Sequence, residues 1–264
     1  LNAENWKYKS AVEVHKATQQ QVFSSPGFEW AKKPAPIPKV NWPGMVLMGI
    51  VLIAISPILA IWILLIHFFH EIHDIPLGLT RSQVQENHMI SLEEYEDREY
   101  QNQFTQLLTM KPGMMRLVTV KTLMLFARLL IKFKFVKGKL MGIPTIHFAR
   151  WLLIDDNKHM IFFSNFDGSW QQYLGDFIDK SGWGLTGIWT NTVKFPKTKF
   201  LLWGGAYDEE HFLAWSRYYE IPTQVWYSAY PHLSIKNIVN NSLIRDELSK
   251  NLNEQQAEKF LKRI

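Results

Sequence analysis

Residues 45 to 66, MVLMGIVLIAISPILAIWILLI, carry no charged side chain at any position. About 20 apolar residues in a helix cross the hydrocarbon layer of a bilayer, so this run is long enough to span. Pro57 sits in mid-run beside Ser56, which would break a helix in water but is tolerated in a membrane, where side chains re-satisfy the freed backbone. A buried core helix is the competing reading, and such helices seldom run this far without a polar residue. Trp42 and Pro43 before the run and His67, His70 and His73 after it are residues suited to the interface. The expectation is one transmembrane helix over residues 45–69. The tail before it, residues 1–44, ends in AKKPAPIPKVNWPG, where Pro34, Pro36, Pro38 and Pro43 favour an extended linker. Lys32, Lys33 and Lys39 lie close to the run on that side and only Arg81 on the other. By the positive-inside rule the tail is cytoplasmic, as in a bacterial inner-membrane protein with its bulk on the far side. The chain opens on Leu1, which implies processing or a missing start.

The formal net charge of +5 suits an anionic membrane surface as well as nucleic acid, and no nucleic-acid motif supports the second. The absence of cysteine excludes disulfides, thiolate catalysis and zinc–cysteine sites. HFFHEIHD places His67, His70 and Glu71 on one face if the helix continues, a spacing that can bind a transition metal. Interfacial histidines at a helix exit have the same spacing without a metal. Residues 70–110 are polar, acidic around LEEYEDREY, and read as a connector with a helix after Ser91. Residues 111–140 open with Pro112 and Gly113, and Lys121, Arg128 and Lys132 share an arc of about 40° on an otherwise apolar helix. That pattern suits a basic amphipathic helix in the headgroup layer, or one packed between the membrane span and the domain that follows.

Residues 141–264 read as a compact α+β domain. PTIHFARWLLID and MIFFSNF are strands joined by a polar turn, and SWQQYLGDFIDK is a helix capped by Ser169. LTGIWTNTV, TKFLLWG and TQVWYSAY read as further strands and DEEHFLAWSRYY as a helix, with polar helices closing the chain. From Met160 this gives the βαββαβ order of a ferredoxin-like antiparallel sheet. No Gly-rich phosphate loop and no GxSxG elbow is present.

QNQFTQLLTMKPG, GIPTIHFARWLLID, FSNFDGSWQQYLGDFID, KTKFLLWGGAYDEEHFLAW and PTQVWYSAYP, in that order, resemble a family of largely uncharacterised bacterial proteins over roughly residues 100–245. The resemblance implies a ferredoxin-like domain of the dimeric α/β-barrel kind, in a superfamily that includes dye-decolourising haem peroxidases and chlorite dismutases. In those peroxidases the Asp of a GxxDG motif works with an Arg on peroxide above a haem whose iron is held by a His. SNFDG keeps Asp167 and Gly168 but has Ser164 in place of the first Gly. On that reading Asp167, Arg150 and His147 are catalytic and His211 or His232 binds the haem iron. The alternative is structural: Asp167 and Ser169 hold a turn and cap the next helix, with Arg150 paired to a carboxylate. The two functional expectations are therefore a membrane-anchored accessory or assembly subunit without a cofactor, and a membrane-bound haem oxidoreductase. The accessory reading is the favoured one, with the lipid bilayer and either other complex subunits or a second copy as partners.

Overall fold

The computed structural model describes residues 10–34, 36, 38–136 and 142–264. The start of the expected tail (residues 1–9) and the end of the basic segment (137–140) lie outside them. The described chain is mixed helix and sheet and divides into two compact units, residues 1–38 with 236–264, and residues 39–235.

In the first unit the expected tail contains a helix, α1 (Ala11–Ser24), started by a capping box between Ser10 and Glu13. Its partner is the last helix of the chain, whose Glu254 carboxylate accepts from the free Ala11 and Val12 amides at 2.5 and 3.3 Å. The His15 ring meets Phe260 edge-on at 4.8 Å, and Ala31, Leu248 and Phe260 form a small core.

The second unit begins with α2 (Trp42–Phe69), capped by the Asn41 side chain on the Gly44 amide at 2.9 Å. Pro57 deprives the Ile53 carbonyl of its helical donor, and the Ser56 hydroxyl replaces it at 2.8 Å. Among the described residues α2 and its short continuation to His73 form the one helix long and apolar enough to cross a membrane, and only 6% of its most apolar stretch is buried. After α3 (Glu86–Glu93) the chain enters β1 (Gln101–Thr109), then α4 (Met114–Phe133), β2 (Ile146–Ile154), β3 (His159–Asp167) and α5 (Trp170–Trp189). A two-residue ribbon, β4 (Thr198–Lys199) with β5 (Trp203–Gly204), leads to α6 (Glu209–Tyr219). Residues 221–234 form neither strand nor helix. They lead to α7 (Ile235–Leu248) and then α8 (Glu254–Leu261).

The main sheet is antiparallel with order β1-β3-β2, which corrects the ferredoxin-like expectation in three places. First, 101–109 lies within the expected connector, and QNQFTQLLT mixes polar residues into both faces. Yet it pairs with β3 along its whole length, and its buried Gln106 donates to the Ser216 carbonyl at 3.1 Å. Second, LTGIWTNTV has strand composition, but residues 185–189 finish α5. Its apolar positions 174, 177, 178, 185, 188 and 189 keep helical spacing into the core, so packing overrides propensity. Third, TQVWYSAY follows the edge of β1 without joining it as a strand; its anchors are Ile221 N to Thr105 O at 2.9 Å and Gln101 Nε2 to Leu233 O at 3.1 Å.

α5 and α6 cover one sheet face with a core built on Phe104, Phe162, Phe166, Tyr173, Trp189, Phe212 and Trp215. The other face leaves Leu107, Phe148, Leu152 and Ile154 exposed. The basic helix α4 packs between α2 and α5, the arrangement left open beside a flat-lying one. It lies antiparallel to α2, since Trp62 Nε1 donates to Thr119 Oγ1 at 2.9 Å near one end and Asn41 N donates to Phe133 O at 2.9 Å at the other. Lys121, Leu125, Arg128 and Lys132 face outward from it.

Gly205 shows how tight this packing is. Its φ is +58°, and an added Cβ would stand 2.5 Å from Thr186 Cγ2 and 2.8 Å from Phe195 Cε1. Gly205→Ala is expected to lower stability by roughly 2–4 kcal/mol through overpacking and left-handed strain. Gly175→Ala, where a Cβ meets nothing within 4 Å on α5, is expected to raise it by up to about 1 kcal/mol. Chemical denaturation of the two variants checks both signs.

Candidate functional site

Three groups of ionisable side chains are built into the second unit. The first is the FDG turn at the end of β3. A bulge in β2 between Ile146 and Phe148 frees His147 from the ladder and turns its ring toward Asp167, with Nε2 2.7 Å from Oδ1. The other carboxylate oxygen accepts from the Ile235 amide at 2.7 Å, far along the chain. Gly168 takes the left-handed conformation at φ +85°, and Asn102 Nδ2 donates to its carbonyl at 2.8 Å. Ser169 caps α5 as expected, its Oγ accepting from Gln172 N at 3.3 Å. Arg150 is not part of this group: it lies opposite Phe163, four residues along β3 from Asp167, and is exposed. The expected carboxylate partner for it does not appear among the described ion pairs.

The second group holds the exit of α2. Glu71 is buried, and its carboxylate accepts from the Thr198 hydroxyl, from Phe200 N at 2.7 Å and from Leu201 N at 3.0 Å. Phe200 and Leu201 both have positive φ, 54° and 66°, so their two amides turn inward together as an anion-binding nest. His67 Nδ1 lies 2.6 Å from Glu71 Oε2, and its ring stacks on Phe200 at 4.1 Å. The sequence pairing of His67 with Glu71 is therefore present, but the carboxylate is committed to the 198–201 turn. No group of three potential metal ligands converges among the described residues. One turn on, Asp74 receives Arg116 at 2.6 Å and Lys111 at 2.7 Å. Both cations also donate to the Thr190 carbonyl, at 3.3 and 2.8 Å, where α5 ends and the helix dipole favours positive charge. Burial pushes the Lys111 ammonium down to about 8, against the pull of Asp74, which leaves it mostly protonated at neutral pH.

The third group was not legible in the sequence, because its members come from residues 96, 170, 217 and 220. Arg217 lies 3.8 Å over the Trp170 ring and forks between Glu96, with Nη2 to Oε2 at 3.0 Å, and Glu220, with Nη1 to Oε2 at 3.1 Å. Burial pushes the Glu220 carboxyl well up, with Arg217 pulling the other way. Burial also works against the charge on Arg217, and the two carboxylates hold its pKa above the ordinary value. A polar cleft lined by Glu96, Glu220, Gln103 and Trp226 opens beside the group. Perturbed ionisable groups at a cleft mark a place where a proton can be held, and equally a structural ion network that fastens α6 to the segment before β1.

The remaining expected residues do not assemble. His211 is half-buried and bound to its neighbour Asp208 at 2.8 Å, and His232 is exposed in the 221–234 segment. These residues do not fit a haem. Both oxygens of Asp167 are engaged, Arg150 lies away from it, and the apolar pocket between α4 and α5 is lined by no histidine. Comparison of the chain with protein-family models, with curated proteins and with solved structures finds no match.

The FDG turn thus has the character of a structural junction. Asp167→Ala removes the pairing with His147 and a long-range hydrogen bond from the Ile235 amide, and is expected to lower stability by roughly 2–4 kcal/mol. Arg150→Ala, at an exposed position, is expected to stay within about 0.5 kcal/mol. Unfolding in detergent solution measures both, and equal small effects would refute the assignment.

Proposed function

We propose that the chain is a membrane-anchored accessory subunit that presents a docking sheet at the bilayer surface. The observation that carries this reading is the presence of two uncovered apolar surfaces on one unit. α2 exposes Val46, Ile53, Ile58 and Ile61, among others, along its length, and the open sheet face exposes Leu107, Phe148, Leu152 and Ile154. A water-soluble monomer rarely leaves contiguous apolar surface of this extent open. The length and composition of the first suit the hydrocarbon of a bilayer. The second is a flat strand surface with a single cation, Arg150, in its midst, which suits a protein partner: another subunit of a membrane complex, or a second copy.

α4 shares the position of α2 in this reading. Its cations Lys121, Arg128 and Lys132 stand on the outward side within about two turns of the helix ends, from which long side chains reach the headgroups. The anchor is not a flexible tether, because Glu71 and Asp74 bind its exit directly into the domain. A ferredoxin-like relationship and a peroxidase-like activity are not needed for this function, and the placement of Arg150 and the histidines argues against the second.

Two measurements test the proposal. The protein is expected to stay in membranes through alkaline carbonate extraction, with glycosylation sites placed before Trp42 and after Asp74 reporting opposite sides. A photo-crosslinking residue at Phe148 is expected to trap one discrete partner or a homodimer in native membranes, and Leu152→Glu to abolish the product. Release by carbonate refutes the anchor, and the absence of any specific crosslink refutes the docking sheet. A Soret band in the purified protein would restore the haem reading.

A further inference from the structure

At the other end of the helix pair from Glu71, the start of α2 meets the end of α4 through the hydrogen bond from Asn41 N to Phe133 O, and the Phe133 ring closes on Gly44, where an added Cβ would stand 3.0 Å from it. This junction gathers three exposed lysines from distant parts of the chain, Lys39 ahead of α2 and Lys132 and Lys134 at the end of α4. Lys132 Nζ stands 6.0 Å from the centre of the Phe133 ring and Lys134 Nζ 5.6 Å from that of Phe135, and Trp42, next to Asn41, is 69% exposed. Aromatic rings mixed with lysines at the end of an apolar helix are the side chains of a membrane interface. No acid offsets the charge locally, because residues 39–70 and 112–136 contain neither Asp nor Glu. The lysine ion pairs of the described residues are those of Lys111, Lys180 and Lys250, all elsewhere. The dipole of α4 accounts for Lys132 and Lys134 at its C-terminal end, but Lys39 precedes the N-terminal end of α2, where the dipole disfavours a cation. The complement of this junction is therefore an anion.

We propose that the junction binds the headgroup of an anionic phospholipid. The ammonium groups of Lys39, Lys132 and Lys134 meet its phosphate, and its acyl chains run along Val46, Leu47 and Ile50, exposed on the first turns of α2. An acidic protein segment would match the charge but not the apolar helix that begins beside it, whereas an anionic lipid matches both. The inference rests on the reading of α2 as the membrane anchor and adds the class of lipid that the anchor selects.

The test uses the full chain in detergent, stripped of lipid and then offered phosphatidylglycerol and phosphatidylcholine with identical acyl chains in equal amounts, the bound lipids being counted by native mass spectrometry. Phosphatidylglycerol is expected to be retained over phosphatidylcholine by about fivefold or more, the contribution of a single lysine at an anionic surface. Lys39→Gln, Lys132→Gln and Lys134→Gln together are expected to abolish the preference, and the same three positions changed to Arg to keep it. An equal loss of charge through Lys158→Gln, Lys180→Gln and Lys197→Gln, exposed elsewhere on the second unit, is expected to leave it unchanged. Equal retention of the two lipids, an equal response to the two glutamine triples, or displacement by excess inorganic phosphate alone overturns the site. Carbonate extraction decides the anchor separately: release from membranes with the lipid preference intact would remove the anchor and leave the headgroup site standing.

Discussion

Glu71 sits where the apolar helix α2 ends, and its carboxylate is taken up by the turn at residues 198–201 and by His67. A buried carboxylate is tolerable only when its lone pairs are filled. Here Thr198, the amides of Phe200 and Leu201 and the ring of His67 fill them. The turn adopts left-handed backbone at two bulky residues, Phe200 and Leu201, a conformation that costs energy and persists where the surroundings determine it. The anion that both amides face is that determinant. Asp74, one turn later, binds the C-terminal end of α5 through Lys111 and Arg116. The direction in which an apolar helix leaves the domain is thereby set by charge inside the domain.

The remaining geometry follows from that junction. The first turn of α4 sets Arg116 beside Asp74 and the helix returns along α2, so one of its flanks faces α2 and the other faces α5. The sheet is covered on the α5 and α6 side and open on the other. In the proposed function each exposed apolar surface has a different counterpart: lipid for α2 and a protein for the sheet face.

Much of this could be read from the chain alone where one periodicity dominates. The uncharged run gives α2, the alternation in IHFARWLLI and the turn after it give β2 and β3, and Ser169 marks the start of α5. The failures have a common cause in partners distant along the chain. β1 is rich in Gln, Asn and Thr, and its edge and buried polar groups are met by residues 193, 216, 220 and 221, which no local pattern announces. Residues 185–189 carry β-branched and aromatic side chains that suit a strand, but their spacing continues the buried face of α5. At the candidate sites, the His67–Glu71 pairing followed from helical spacing and His147 with Asp167 from adjacent strands. The reach of Arg217 to Glu96 had no such cue, and the regular hairpin register sets Arg150 opposite Phe163, four residues along β3 from Asp167.

The central claim is that Glu71 locks α2 to the domain. The chain has no cysteine, so two introduced ones can be labelled cleanly. Spin labels at Ile58→Cys on α2 and Lys180→Cys on α5, with the protein in lipid nanodiscs, report the distance distribution between anchor and domain by pulsed electron spin resonance. The account predicts one narrow distribution in the parent protein and a broad one when Glu71→Ala is added. Equal widths in the two proteins, whether both broad or both narrow, would contradict it.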